Sequence, residues 1–290
     1  MKTVLVTGGG GVLGGAVASH LRSSNYHVVS GSRRVPSANS ADVQIDVTDF
    51  TQVSTVIRMV NPDVVVHLAA SFENDFDAAF ATNVQGSRNL LTAIKQSSSN
   101  VRVLLAGSAA EYGLVLSAEN PIREDRVLCP VSIYGLTKSW QTIWGLMSAK
   151  QGQDVVVARI FNLDGPGLSG KLFVGRIDEQ ICEIRNGRRK RIEVGPLTAV
   201  RDYISVHDAA RQLAAIVERG TAGEVYHVAS GQPTNMRDLL ARRLEINGLD
   251  FSIVDYYAGL SPRIGQDVPV IFADIGRTAA LLTKTENDAY

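Results

Sequence analysis

The stretch IYGLTK places Tyr134 and Lys138 four residues apart. On a helix that spacing brings two side chains to one face. An ammonium beside a phenol favours the phenolate and lowers the phenol's pKa from about 10. Such a phenol can give a proton to, or take one from, a carbonyl or an alcohol. Upstream, LLAGSAAEYG puts Ser108 just past an apolar run that reads as a buried strand. Open α/β sheets carry their chemistry at the carboxyl ends of strands. There a serine hydroxyl can donate a second hydrogen bond to the same substrate oxygen. Ser108, Tyr134 and Lys138 are therefore the candidate catalytic residues. Y-x-x-x-K is common by chance, so its weight comes from what stands around it.

The first neighbour to weigh is TGGGGVLG, residues 7–14, between the strand candidate KTVLVT and a helical pattern. Gly8, Gly11 and Gly14 fit G-x-x-G-x-x-G, with Val12 and Leu13 opening the helix. A helix N-terminus offers unpaired N–H groups and partial positive charge to a pyrophosphate. Glycines let the backbone approach the ligand and let helix pack on strand. The end of the next strand then selects the dinucleotide. An acidic residue there holds the ribose 2′-OH of NAD, and arginine accommodates the 2′-phosphate of NADP. This chain reads SGSRR, with Ser32, Arg33 and Arg34 and no carboxylate. Unit charges about 4 Å apart interact by roughly 4 kcal/mol at an effective dielectric of about 20. The expected cofactor is NADP(H); the plain alternative is two surface cations. Asp46 and Val47, in IDVTD, are expected where an adenine edge could rest.

These residues need a scaffold. Apolar runs alternate with helical patterns through the first two thirds of the chain. Strands are expected at KTVLVT, HVVSG, DVVVHLAA, VRVLLAGS and DVVVARIFN, and helices over 11–25, 48–59, 83–96 and 132–152. Continuous apolar runs indicate strands buried on both faces, hence a parallel, doubly wound, Rossmann-like α/β sheet. Past residue 162 the pattern loosens into Gly- and Pro-rich loops, with helices over 174–186 and 236–246 and one returning strand, GEVYHVAS. The expected division is a cofactor-binding domain over 1–162, with 197–229 returning to it, and a smaller C-terminal substrate-binding lobe over 163–196 and 230–290.

Composition excludes several classes. The 290 residues are 45% hydrophobic and 20% charged, with formal net charge zero. A nucleic-acid-binding surface would show a basic excess. The one basic run, RNGRRKR, reads as a solvated helix end. No stretch approaches the roughly 20 apolar residues of a membrane span. Cys129 and Cys182 stand far apart in no metal-ligand spacing, so neither a zinc site nor a disulfide framework is expected, and a cytoplasmic location is.

Taken together, TGGGGVLG, VVVHLAA, TNVQGSRNLL, YGLTK and RIFNLDGPG resemble the landmarks of the extended short-chain dehydrogenase/reductases that act on nucleotide sugars. VGPLTAVRDYISVHDAA and SPRIGQDVPVIFAD look most like the branch of GDP-4-keto-6-deoxy-D-mannose reductases. The resemblance implies that Ser108, Tyr134 and Lys138 form the catalytic set, with Lys138 also on the nicotinamide ribose. It places Leu68, Ala69 and Ala70 beside the cofactor. It assigns Asn162, Arg201 and Arg263 to the nucleotide diphosphate and Asn83 to support of the substrate site. Arginine forks suit a diphosphate; the alternative for Arg201 is a structural pair with Asp202 or Asp208. Lys171, in LDGPGLSGKLFVG, is a candidate substrate contact.

Several reactions run on this scaffold. The family's 4,6-dehydratases place a carboxylate pair directly after the strand-end hydroxyl. This chain has Ala109 and Ala110 there, with Glu111 one position later, carried as a candidate substrate contact. Elimination is thus disfavoured. 4-Epimerases keep a tightly held NAD, whereas NADP(H) argues for net reduction of a 4-keto-6-deoxyhexose. A 4-epimerase and a non-catalytic NADP sensor stay open as alternatives. The resemblance also implies a homodimer through the helices over 83–96 and 132–148. Trp140, Ile143, Trp144, Leu146 and Met147 would serve it, unless they are ordinary core.

Overall fold

The structure is a computed structural model and describes residues 1–36, 42–97, 100–256 and 268–283. In chain order its strands are β1 (Thr3–Thr7), β2 (His27–Ser32), β3 (Val43–Gln44), β4 (Val64–His67), β5 (Arg102–Ser108), β6 (Val155–Ile160), β7 (Asn162–Asp164), β8 (Ile192–Val194), β9 (Val200–Ser205), β10 (Val225–Val228), β11 (Pro233–Asn235), β12 (Val254–Tyr256) and β13 (Val270–Ile271). Its α-helices are α1 (Val12–Ser23), α2 (Phe50–Val60), α3 (Phe76–Ala79), α4 (Gly86–Gln96), α5 (Ile133–Lys150), α6 (Phe173–Arg185), α7 (Val206–Arg219), α8 (Met236–Ile246) and α9 (Gly276–Thr283). A six-residue π-helix, Phe80–Gln85, joins α3 to α4.

Seven strands form one sheet in the order β10-β6-β5-β4-β1-β2-β3. Every pairing in it is parallel. The order reverses between β1 and β4, which opens a crevice at the carboxyl ends of those strands. Alternate side chains feed opposite layers. Val4, Val6, Val64, Val66, Leu104 and Val156 pack with Val17 and Leu21 of α1 and Leu213 of α7. Leu5, Val65, Val103, Leu105 and Val157 pack with Val53 and Ile57 of α2 and Leu90 and Ile94 of α4. Each side chain buried this way contributes about 1.5–3 kcal/mol. Two-sided burial explains why the strands read as unbroken apolar runs.

Helix starts follow their caps. Asp49 accepts the Thr51 and Gln52 amides at the head of α2. Ser132 accepts the Gly135 amide at the head of α5. α1 is different: Gly11 caps it with no side-chain hydrogen bond, and its first turn holds no acidic residue.

β7 to β9 and β11 to β13, with α6 and α8, build a second, smaller layer, while α7, β10 and α9 return to the main one. β9 pairs with β7 and β13 in parallel and with β11 antiparallel, and β8 pairs with β12. Within 197–229, therefore, β9 joins the small sheet and β10 the main one. Ile177, Ile181, Ile192, Leu240, Leu244 and Val254 pack together in this layer. Among the described residues, no helix is long and apolar enough to cross a membrane.

Candidate active site

The glycine loop and the chain after β4 are pressed together at the crevice. Gly8 takes a positive φ of 73°. A Cβ added to it would lie 2.8 Å from the Ala69 nitrogen and the Leu68 carbonyl carbon. A Cβ on Gly14 would lie 2.3 Å from the Gly8 oxygen. The Gly11 amide donates to that same oxygen at 3.0 Å. Only glycine fits these two positions, and the turn delivers the uncapped start of α1 to the crevice. Open N–H groups, no nearby carboxylate in the first turn and bare backbone suit a pyrophosphate. Val12 packs toward Leu168 and Val174, and Leu13 toward the main core. Ala70 follows Leu68 and Ala69 at the same edge.

Beside the loop, a cleft of about 350 Å³ is lined by Gly10, Ser30, Ser32, Arg34, Asp42 and Arg22, among others. The Ser32 hydroxyl accepts the Arg34 amide at 3.3 Å. Arg33 is exposed, and its carbonyl accepts the Gln44 amide group. Arg22, from α1, was not singled out in the sequence; its guanidinium reaches the Ser30 hydroxyl at 3.4 Å and stands 3.9 Å from Asp42. The Asp46 carboxylate turns onto the Thr48 amide and hydroxyl. Val47 is buried, against Gly86 of α4.

Ser108 closes β5, and Tyr134, in the first turn of α5, stands near enough to feel the Ser108 side chain. Burial raises the Tyr134 pKa; the Ser108 hydrogen bond pulls against that, and the Glu111 charge adds to the rise. The expected lowering by Lys138 is thus corrected. The Lys138 ammonium is buried and donates to Gln141 Oε1 at 2.7 Å, while Gln141 Nε2 donates to the Ala106 carbonyl. Burial lowers the Lys138 pKa to about 8, against an opposing pull from Glu111. Nearby, His67 Nδ1 pairs with the Thr7 hydroxyl at 2.7 Å, and its buried Nε2 has no hydrogen-bond partner among the described residues. Burial, with Lys138 adding to it, lowers the His67 pKa to about 3.

Other expected contacts move. Asn83 is 0% exposed within the π-helix, too deep to touch a substrate. It accepts the Ser71 amide and donates to the Ser71 carbonyl and the Thr137 hydroxyl, tying the loop after β4 to α5. Glu111 is likewise fully buried: it accepts the Ser108 amide and pairs with Arg159, so it sits beneath the site rather than in it. Lys171 forms an exposed ion pair with Glu73, on the loop after β4. Asn162 donates to the Asp202 carbonyl at 3.0 Å. The buried Arg201 donates to the Val200 carbonyl. The carboxylates proposed as its alternative partners are engaged elsewhere: Asp202 with Ser230, Gly231 and Ala273, and Asp208 with Ser205 and Arg211. Arg263 lies outside the described residues.

Phe72 had no role in the sequence reading, yet its ring stacks on Tyr134. Nothing local in the sequence announces that contact, because the two residues lie on separate elements.

Residues 4–229 match the NAD dependent epimerase/dehydratase family. Over 203 residues the chain is 32% identical to the GDP-6-deoxy-D-mannose reductase of Pseudomonas aeruginosa, covering 67% of this chain and 66% of that protein, just under two thirds of its length. The fold superposes on RMD from Pseudomonas aeruginosa complexed with NADPH with a TM-score of 0.83 at 24% identity, covering 97% of this chain and 92% of that one. It superposes on MoeE5 in complex with UDP-glucose and NAD with a TM-score of 0.81 at 28% identity, with the same coverage, 97% and 92%. The match across most of the chain agrees with the sheet order and the glycine turn: this protein belongs to the NAD dependent epimerase/dehydratase family, the extended short-chain dehydrogenase/reductases its motifs resemble.

Proposed function

We propose that this protein is an NADPH-dependent reductase of the C4 keto group of a nucleotide-linked 4-keto-6-deoxyhexose. The observation that carries this reading is the placement of Tyr134, in the first turn of α5, beside Ser108 at the carboxyl end of β5. The 66% coverage of a GDP-6-deoxy-D-mannose reductase supports the substrate class. Relatives with NADPH and with NAD are both known on this fold. The choice of NADPH rests on Arg34 and Arg22, which line the cleft at the end of β2 together with Asp42, and on the exposed Arg33 next in sequence.

Gly8, Gly11 and Gly14 would seat the cofactor's pyrophosphate at α1, with Leu68, Ala69 and Ala70 along one edge. Bound there, the reduced cofactor supplies a hydride to C4. Tyr134 donates its proton to the oxygen that gains negative charge. A phenol whose pKa is held up stays protonated until that oxygen needs the proton. Ser108 donates a hydrogen bond to the same oxygen. Lys138, whose pKa burial lowers to about 8, would hold the cofactor ribose. Asn162 and Arg201 hold the diphosphate, Lys171 is a further substrate contact, and solvent returns the proton to Tyr134. The seven-stranded sheet holds the cofactor, and the smaller layer of β7 to β9 and β11 to β13 with α6 and α8 covers the sugar. Ala109 and Ala110 leave no acid–base pair for elimination.

The working form is a cytoplasmic homodimer. Trp140, Ile143 and Met147 on α5 are 38%, 56% and 38% exposed, an apolar face with Phe76 and Phe80 beside it. Trp144 and Leu146 face inward instead.

The test is loss of NADPH absorbance with nucleotide-linked 4-keto-6-deoxyhexoses. Tyr134→Phe should keep cofactor binding and lose about 10²–10⁴-fold in kcat. Cofactor binding without turnover of any such sugar would leave a sensor instead. Interconversion of 4-hydroxyl epimers with no net oxidation of NADPH would make it an epimerase.

A further inference from the structure

Gly107 precedes Ser108 on β5. A Cβ added to it would lie 2.6 Å from Glu111 Oε1 and 3.1 Å from Cγ of Arg159. The missing side chain is the room into which the Glu111 carboxylate folds. The short 3₁₀ turn Ala109–Glu111 carries it back under the strand end. There Oε1 accepts the Ser108 amide at 2.7 Å and Oε2 pairs with Arg159 Nε at 2.9 Å. Both side chains are buried. Arg159 is itself fixed by the Tyr112 hydroxyl at 2.9 Å and the Glu124 carbonyl at 2.8 Å.

We propose that Glu111 is a positioning residue: clamped by Arg159, its carboxylate holds Ser108 in place and supplies the negative field beneath Tyr134 and Lys138. The inference rests on the proposed use of those three residues. A buried charge is costly unless it is paired and hydrogen-bonded. Two strands satisfy this one. β5 gives the Ser108 amide and the Gly107 opening, and β6 gives Arg159. Tyr134 and Lys138 of α5 stand on the other side. Beyond Arg159 stand Glu124 and His227.

Burial raises the Glu111 pKa, while Arg159 and the Ser108 amide pull it down; the ionised form has a readable sign. The Glu111 charge raises the pKa of Lys138, opposing burial, and raises that of Tyr134. A neutral group at this position removes both effects, so each should titrate at lower pH.

The experiment compares wild type, Glu111→Gln and the paired variant Glu111→Gln with Arg159→Met. Lysine side chains carrying a ¹³C label are titrated by NMR, with Lys138→Arg to assign the buried one. That readout needs no substrate. The single variant leaves Arg159 buried without its counter-charge and should melt lower; the paired variant should recover much of that loss. Lys138 should titrate at lower pH than wild type in the single variant, and less so in the paired one, which also loses a cation; kcat on a keto-sugar should fall about tenfold or more in both, with KM little changed. A merely structural pair would instead give wild-type titration and wild-type pH profile once stability is recovered. Unmoved Lys138 titration in both variants overturns the proposal. Absence of turnover in the wild type counts against the reductase reading alone, because the Lys138 titration is still measured.

Discussion

The Phe72 and Tyr134 rings stack with centroids 4.6 Å apart and planes 26° from parallel. Phe72 is 44% exposed, so one face of its ring fixes the phenol while the rest stands at the mouth of the site. Aromatic pairs of this kind contribute about 0.5–1.5 kcal/mol beyond area burial. Phe72→Ala should therefore lower kcat by about three- to tenfold, because Tyr134 loses its preferred orientation. Phe72→Tyr, which keeps the stack, should stay within about twofold of wild type. Steady-state kinetics on both variants check this. Equal losses in both would mean that the ring acts by something other than stacking.

Asn83 makes a different kind of support. Its amide spans Ser71 and Thr137 with three hydrogen bonds and no exposure. Asn83→Ala leaves the Ser71 amide and carbonyl without these partners beside a cavity. The expected cost is about 2–4 kcal/mol, read as a lower denaturation midpoint. The loop carrying Phe72 would loosen as well, so a disproportionate loss of kcat should accompany it. A variant with wild-type stability would show that Ser71 finds other partners.

Cofactor choice turns on charge. Arg34 lines the cleft at the end of β2 with Ser32 and Arg22. Arg34→Glu places a carboxylate where the 2′-phosphate of NADPH would sit. Its exposed position, screened by salt, tempers the effect to about ten- to a hundredfold weaker NADPH binding. NADH binding should change by less than about threefold. Calorimetric titration with both cofactors decides it, and an unchanged NADPH-to-NADH ratio would sink the NADP reading.

The scaffold was legible because it depends on short, local patterns. The runs VLV of β1, VVV of β4 and VVVA of β6 are buried on both faces, so composition alone marks them. The predicted helix over 236–246 coincides with α8, and the returning GEVYHVAS strand appears as β10 beside β6. The glycine turn was legible for a similar reason: the contacts of Gly8 and Gly14 are within the loop or with the adjacent strand end. What the sequence misplaced depends on tertiary direction. Glu111 reads as a substrate contact because it follows Ser108, but a 3₁₀ turn folds it under the strand and Gly107 makes the room. Lys138 reads as the partner of Tyr134 because i and i+4 share a face. Gln141, also on that side of α5, captures its ammonium instead. Arg22 and Phe72 belong to helix and loop positions whose partners come from other elements, and no spacing rule reaches them.

His227 gives the protein a calculable acid sensitivity. It is fully buried, with Nδ1 on the Asp274 carbonyl at 2.8 Å and Nε2 against the Tyr112 hydroxyl. A neutral imidazole that donates through Nδ1 and accepts at Nε2 fits these partners. Burial, the largest influence, lowers its pKa from 6.5 to about 4. The unfolded chain then binds more protons than the native one between those values, so stability is complete above about pH 6.5 and is lost as the pH falls toward 4. The shift corresponds to about 3 kcal/mol. Glu111, Glu124 and Asp202, whose pKa values burial raises, act in the opposite sense over part of the range. The comparison must therefore be differential. His227→Gln keeps a donor and an acceptor without a titrating ring. Melting temperatures between pH 8 and pH 5 should fall more steeply in wild type than in this variant, and parallel curves would show that His227 binds protons equally in the folded and unfolded states.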